Sequence, residues 1–316
     1  VFLDCDTGVD DSLALGYLAL SPAVDLVGVS TVSGNIDAAS AARNTLDLLA
    51  LAGRPEVPVA VGCHDFLSHP FGGGVPHIHG RNGVGNVDLP HTAARPAGID
   101  GAELLIRASH EHAGGLVLLT IAPLTNIARA LERDPGLPAR IREVVIMGGT
   151  AREPGNVTPV AEANIWNDPE AAAIVLAADW DVTLVPLDVT HQNTFEQDDR
   201  AALLAAEDPF AVALGDVLDL YFGFHEPLMH RRASYLHDPL AAAIAAGGIA
   251  VTRAPRVPVV VDTTDGPGRG QTIADLRGQR HGTFDHDGAR VRVVLETDQP
   301  LAPHLLEVLL SRTGCG

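Results

Sequence analysis

The chain contains no lysine: all 21 of its basic residues are arginine. That absence removes the Schiff-base chemistry of pyridoxal enzymes and class I aldolases, which needs a lysine amine. It also removes the phosphate-gripping lysine of P-loop and kinase sites. Positive charge is scarce altogether, with 21 basic residues against 40 acidic ones and a formal net charge of −19. A nucleic-acid or anionic-membrane partner needs a basic footprint, so neither is expected. Cysteine is sparse too: Cys5, Cys63 and Cys315 are too few and too scattered for a disulfide framework or a zinc site. An odd count fits a reducing compartment, and no signal peptide is visible, so a cytoplasmic location is expected. No apolar run approaches the roughly 18 residues of a membrane span. The chain opens in Val1-Phe2-Leu3 without methionine, so a few further residues are expected upstream.

What is present is ordinary for a globular enzyme-sized chain. The 316 residues are 46% hydrophobic and 19% charged, enough to bury a core, and read as one domain spanning residues 1–316. Apolar runs rich in β-branched residues alternate with Ala/Leu-rich helical runs. The spacing predicts strands over Val1–Cys5, Val24–Thr31, Pro58–Val61, Leu116–Ile121, Glu143–Met147 and Val182–Leu187. Helices are predicted over Asp11–Leu20, Ala38–Leu51, Gly101–Glu111, Leu124–Glu132 and Asp168–Ala178. Strands without polar alternation, separated by helices, predict an α/β fold with a mostly parallel central sheet flanked by helices. Val259–Asp262 and Ala289–Glu296 are expected to add a small antiparallel element or edge. Cys63–Pro96 and Met147–Asn167 read as long functional loops.

Ligands of open parallel sheets sit outside the carboxyl ends of the strands. Asp6, Asn35, Gly148-Gly149 and Asp188 all fall at or just past such ends. The first turn is the most telling. Asp4, Asp6, Asp10 and Asp11 put four carboxylates into eight residues of a strand–turn–helix. A helix N-terminus favours each acid by only about 0.3–1 kcal/mol, too little to gather four at a sheet edge. A hard cation with an oxygen shell would hold them, and Ca²⁺ is the natural candidate. Asp6 at the strand end and Asp11 at the helix start would face one point, leaving Asp10 free as a base.

The string Asp4-Cys5-Asp6-Thr7-Gly8-Val9-Asp10-Asp11 resembles the signature of the inosine–uridine-preferring nucleoside hydrolases, with Thr7 where proline is usual. Further matching strings follow in order: Ser33-Gly34-Asn35, then Pro123-Leu124-Thr125-Asn126-Ile127-Ala128, with Ala122 in place of the usual glycine. Val145-Ile146-Met147-Gly148-Gly149, Gly155-Asn156, Ala161 through Ala171 and His237-Asp238-Pro239 complete the set. The resemblance implies a Rossmann-like fold and Ca²⁺-dependent hydrolysis of ribonucleosides, with homodimers or homotetramers. It implies Asp6, Asp11, Asp238 and the Ile121 carbonyl as calcium ligands and Asp10 as general base. Asn35, Asn156, Glu162 and Asn164 would hold the ribose hydroxyls. His237 would sit by the nucleobase as leaving-group acid, and His79 on a mobile loop over the base.

Each residue also has a plainer reading. Asn35 and Asn156 suit turns. Glu162 and Asn164, two apart, would share one face of an extended segment. Asp238 before Pro239 could cap the following helix. His79 lies among His64, His69, His77 and His91, a set that could also serve a transition metal. Tyr221 and His225 share one face of a helix predicted over Val212–His230, which would either pack in the core or line the base pocket. Two rival functions remain at this level: a calcium-dependent nucleoside or sugar binder without catalysis, and an Asp-x-Asp phosphohydrolase. The second is poorly served by a chain without lysine.

Overall fold

The computed structural model describes residues 1–282 and 284–314. Cys315 lies outside them. The first six strands of the sheet are β1 (Phe2–Cys5), β2 (Gly28–Thr31), β3 (Val59–Val61), β4 (Leu116–Thr120), β5 (Ile141–Met147) and β6 (Val182–Val185). They lie in the order β3-β2-β1-β4-β5-β6 and all pair in parallel. Beyond β6 the sheet continues with Val291–Val293, parallel, and Arg256–Val257, antiparallel to that strand. The polar alternation of the 289–296 region thus marks a late strand of the main sheet rather than a separate one. Val259–Val261 does form a two-stranded antiparallel hairpin with Thr272–Ala274.

Both faces of the sheet are covered, and the two-residue period of a strand sorts each side chain to its layer. Leu3, Val117, Leu119 and Ile121 join one apolar cluster, while Phe2, Leu116 and Leu118 join the other. Helix α1 (Val9–Leu20) is buried along nearly its whole length, because it runs between the sheet and other helices. Its main neighbour is the helix His237–Ala245. Helix α2 is Ala38–Leu51, capped by Asp37, whose side chain accepts from Ser40 N. No helix among the described residues is long and apolar enough to cross a membrane.

The chain order reverses between β1 and β4: from β1 the sheet grows one way through β2 and β3, then the other through β4, β5 and β6. At such a switch point the loops leaving two adjacent strands diverge and open a crevice. Asp6 follows β1 and Ile121 follows β4, so both stand at its floor.

Candidate active site

The packing of α1 against His237–Ala245 brings two helix N-termini together at that crevice. Asp10 and Asp11 lie in the first turn of one, Asp238 in the first turn of the other. Carboxylate oxygens of Asp10, Asp11 and Asp238 come within 4.8 Å of one another, and all three residues are buried. Asp238 is not a cap: its helix begins at His237, with Leu236 as the N-cap residue and no side-chain cap bond. Its carboxylate is therefore left to face the cluster. Burial, and then the charges of Asp10, Asp11 and Asp6, push Asp238 well above the usual carboxylate range.

Backbone donors fix the rest of the acidic turn. Asp11 accepts from Gly8 N at 2.8 Å and from Asp6 N at 3.1 Å. Asp6 accepts from Asn35 N at 2.6 Å. The Asn35 amide bridges the two acids, donating to Asp6 Oδ1 at 3.2 Å and to Asp11 Oδ2 at 3.0 Å. This tight fit needs Gly34, since a Cβ there would stand 2.0 Å from Asp6 Oδ2. Asp6 thus sits behind the trio, and burial with the adjacent Asp11 charge raises its pKa well above normal. Asp10 is different. Tyr221 Oη donates to its Oδ2 at 3.2 Å, while its buried Oδ1 has no partner. Burial, then Asp11, pushes Asp10 up to about 7.

Asp4 is separate from this cluster. It points into the opposite apolar layer, where Ser30 Oγ donates at 2.5 Å and Asn126 Nδ2 at 2.7 Å, and burial raises it to about 7. Asn126 also accepts from Cys63 N at 2.8 Å. Asp188 likewise serves structure, taking the Ala151 and Arg152 amides at 2.8 Å each.

A cavity of about 590 Å³ opens over the trio. Its walls include Asp10, Asp238, Asn35, Ile121, Asn156, Glu162 and Asn164 at the acidic end. Glu162 and Asn164 do not lie on an extended segment. Glu162 caps the short helix Ala163–Asn167, accepting from Asn164 N, Ile165 N and Gly149 N. Burial nevertheless raises it to about 7. Asn164 lies inside that helix and donates to Met147 O at 3.1 Å. Asn156 is exposed at the rim, with Oδ1 accepting from Ala163 N at 3.0 Å.

The other end of the cavity is lined by rings. His79, His191, Tyr221, Phe224, His225, Tyr235 and His237 all contribute. Tyr221 and His225 belong to the helix Pro209–Met229 and meet edge-on, with centroids 4.5 Å apart. His79 occupies a short helical turn, Pro76–His79, and its Nδ1 accepts from Val9 N at 3.0 Å. A backbone N–H can donate only to an unprotonated nitrogen, so His79 is neutral with its proton on Nε2. Burial, then His225 and His77, lowers it to about 3. His237 shares a 2.8 Å hydrogen bond between Nδ1 and Thr190 Oγ1. Burial, then His191, His225 and His79, pushes His237 well below its ordinary value.

Asp10, Asn35, His79, Ile121, Asn156, Glu162, Asn164, Tyr221, His225, His237 and Asp238 therefore line one cavity, with Asp6 and Asp11 directly behind it, whereas Asp4 and Asp188 belong to the scaffold. The histidines of the Cys63–Pro96 loop build no metal site: among the described residues, Asp10, Asp11 and Asp238 are the group that could hold an ion. Sequence reasoning missed His191 and Tyr235, while Phe224 lies on the aromatic helix that it offers for the pocket. Tyr235 stands two residues before His237, and His191 three after Asp188, but nothing in their spacing marks a pocket.

An oxygen-only set of three buried acids, with one orphaned carboxylate oxygen and no arginine lining the cavity, fits a hard divalent cation. The fold and its motifs have known counterparts. The family model for the inosine-uridine preferring nucleoside hydrolase matches residues 1–302. The chain is 33% identical to an inosine-uridine preferring nucleoside hydrolase of Crithidia fasciculata over 312 residues, covering 95% of this chain and 94% of that one. It is 35% identical to a probable uridine nucleosidase of Arabidopsis thaliana over 279 residues, covering 88% and 84%. Among solved structures, a purine-preferring ribonucleoside hydrolase of Gardnerella vaginalis superposes with a TM-score of 0.88 at 31% identity, covering 99% and 98%. Likeness over nearly the whole length, in sequence and in fold alike, makes this chain a member of the inosine-uridine preferring nucleoside hydrolase family.

Proposed function

We propose that the chain hydrolyses the N-glycosidic bond of ribonucleosides, releasing free base and ribose, with Ca²⁺ held by the acidic cluster. The observation that carries this reading is a single cavity with hard oxygen donors at one end and a cluster of aromatic rings at the other. A ribose diol matches the first and a planar base the second. Asp11 and Asp238 of the trio, together with Asp6 behind them, which Asn35 ties to Asp11, and the Ile121 carbonyl, would hold the ion, leaving Asp10, the trio's third member, beside it. Bound there, calcium would offer oxygen coordination to the ribose diol and would polarise a water molecule.

The protein groups do the rest. Asp10, whose Oδ1 is buried without a partner while Tyr221 Oη holds its Oδ2, takes the proton of the attacking water. Asn35, Asn156, Glu162 and Asn164 grip the sugar and hold C1′ facing that water. The bond to the base breaks through a ribosyl cation-like state, its electron pair leaving with the base nitrogen. His237 meets the base as a neutral imidazole and donates a hydrogen bond as negative charge develops there. Tyr221, His225 and His79 pack the base.

Ribose release from inosine and uridine, measured as reducing sugar without phosphate and with calcium or a chelator, tests the activity. Free ribose that vanishes with the chelator is expected; none from any nucleoside would leave only a binding role. Asp10→Asn is expected to cut turnover by roughly a thousandfold with the nucleoside still bound. If Asp6→Asn instead abolishes turnover with calcium retained while Asp10→Asn mainly raises KM, Asp6 is the base and Asp10 a ribose ligand.

A further inference from the structure

The hairpin Val259–Val261/Thr272–Ala274 comes late in the chain and lies outside the main sheet, yet it touches the loop that carries three of the sugar-gripping residues. Thr272 is the point of contact. Its hydroxyl accepts from Thr150 N at 2.8 Å and donates to Thr150 O at 2.5 Å. One side chain thereby closes both backbone groups of a single loop residue, as a neighbouring strand would. Both threonines are buried. The preceding residue, Gly149, has φ +72°, and a Cβ there would stand 2.8 Å from the Thr272 side chain. Gly149 N in turn donates to Glu162 Oε2 at 2.8 Å. One residue earlier in the hairpin, Gln271 forms an isolated antiparallel bridge with Ala161, the residue before Glu162.

The loop is thus pinned to the hairpin at Thr150 and at Ala161, and Glu162, the residue after the second pin, reaches back to Gly149 beside the first. We infer that Thr272 is a positioning residue for sugar binding: it sets the height of the Gly149–Thr150 turn, and through Gly149 N the orientation of Glu162. It touches neither ribose nor base. This inference rests on the hydrolase reading above, because it assigns the loop to the ribose.

Thr272→Val keeps the shape of the side chain and removes both hydrogen bonds, leaving Thr150 N and O buried without partners. Thr272→Ser keeps the hydroxyl. Four quantities separate positioning from bulk stability: kcat, KM for inosine, inhibition by ribose and inhibition by free hypoxanthine. In Thr272→Val, KM and the ribose inhibition constant are expected to rise together by roughly tenfold, the cost of one or two buried hydrogen bonds. Inhibition by the free base should stay within about twofold, and Thr272→Ser should restore all values. If the valine variant does not fold, Thr272→Cys carries the same comparison, since a thiol bonds only weakly. Unchanged ribose inhibition, or ribose and base inhibition shifting by the same factor, would overturn the inference. A wild-type chain that neither releases nor binds ribose would instead remove the hydrolase reading and this inference with it.

Discussion

The two ends of the cavity are built by different means. At the acidic end, carboxylates are held by backbone amides: Asp11 by Gly8 N and Asp6 N, Asp6 by Asn35 N, Glu162 by three N–H groups. Those donors belong to strand ends and helix first turns, whose geometry the sheet dictates. At the ring end, His79, His191, Tyr221, His225, Tyr235 and His237 come from several segments and meet tilted or edge to face. A ring contact of this kind contributes about 0.5–1.5 kcal/mol and tolerates other rings. The acidic end is therefore rigid and all-or-none, whereas the ring end can be retuned without loss of fold. Tyr221 joins the two, packing against His79 and His225 while bonding Asp10.

The largest break in this comparison is expected at Asp11. Its two oxygens tie Asp6 N and Gly8 N while completing the buried trio. Asp11→Asn keeps the size, removes one charge and leaves one of those amides without its acceptor. Calcium affinity, read by calorimetry, should collapse, and turnover should fall by roughly a thousandfold or more. Retained calcium binding with normal turnover would show that the ion does not depend on this cluster.

A second effect is a stability trend with pH. Desolvation raises Asp4 and Asp10 from 3.8 to about 7 in the folded chain without a metal. A carboxyl with a raised folded pKa binds its proton more tightly folded than unfolded. Its stabilisation is complete below pH 4 and is lost as pH climbs through 7, on the order of 4 kcal/mol for Asp4. Chelator-treated protein should therefore melt progressively lower from pH 5 to pH 8. Calcium should cancel the part due to Asp10, and to Asp6, Asp11 and Asp238, whose pKa values are also raised. Asp4 lies in the other layer with Asn126 and Ser30, so its share should survive calcium. A flat melting profile in chelator would contradict the burial of these acids as neutral groups.

The same contrast explains what could be read in the sequence. The parallel sheet, the order of helices and the acidic turn were legible because each is local: apolar runs, a glycine turn and adjacent carboxylates. Several motif residues that mark the family turn out to be scaffold. Asn126 supports Asp4, and Thr125 donates to Asp168 at 2.6 Å, so their pattern identified the fold rather than the site. The cap role of Glu162 was hidden, since nothing before the fold shows that Gly149 N approaches it. Asp238 could be a cap as well as a ligand on sequence grounds, and the structure removes the cap role, because its helix starts one residue earlier, at His237. His191 and Tyr235 were invisible for a different reason. Their meeting, with centroids 4.5 Å apart, follows from the antiparallel pairing of Thr194–Glu196 with Ala233–Tyr235, which sets Tyr235 opposite Thr194, three residues past His191, and no spacing in the chain encodes that pairing.

The smallest effect sharpens the comparison from the ring end. Tyr221→Ala combined with His225→Ala empties one wall of the base pocket but leaves every backbone bond of the acidic turn in place. Calcium affinity should stay within about twofold of wild type, because neither side chain belongs to the oxygen cluster. The ratio of kcat/KM for inosine over uridine should move by about tenfold, the scale of a few lost ring contacts. The direction follows from area: a purine presents two rings to that wall and a pyrimidine one, so the purine should lose more. Turnover of both substrates will also fall through the lost Tyr221–Asp10 bond, but by a common factor that cancels in the ratio. An unchanged ratio would take this helix out of base recognition and leave His191, Tyr235 and His237 as the wall that reads the base.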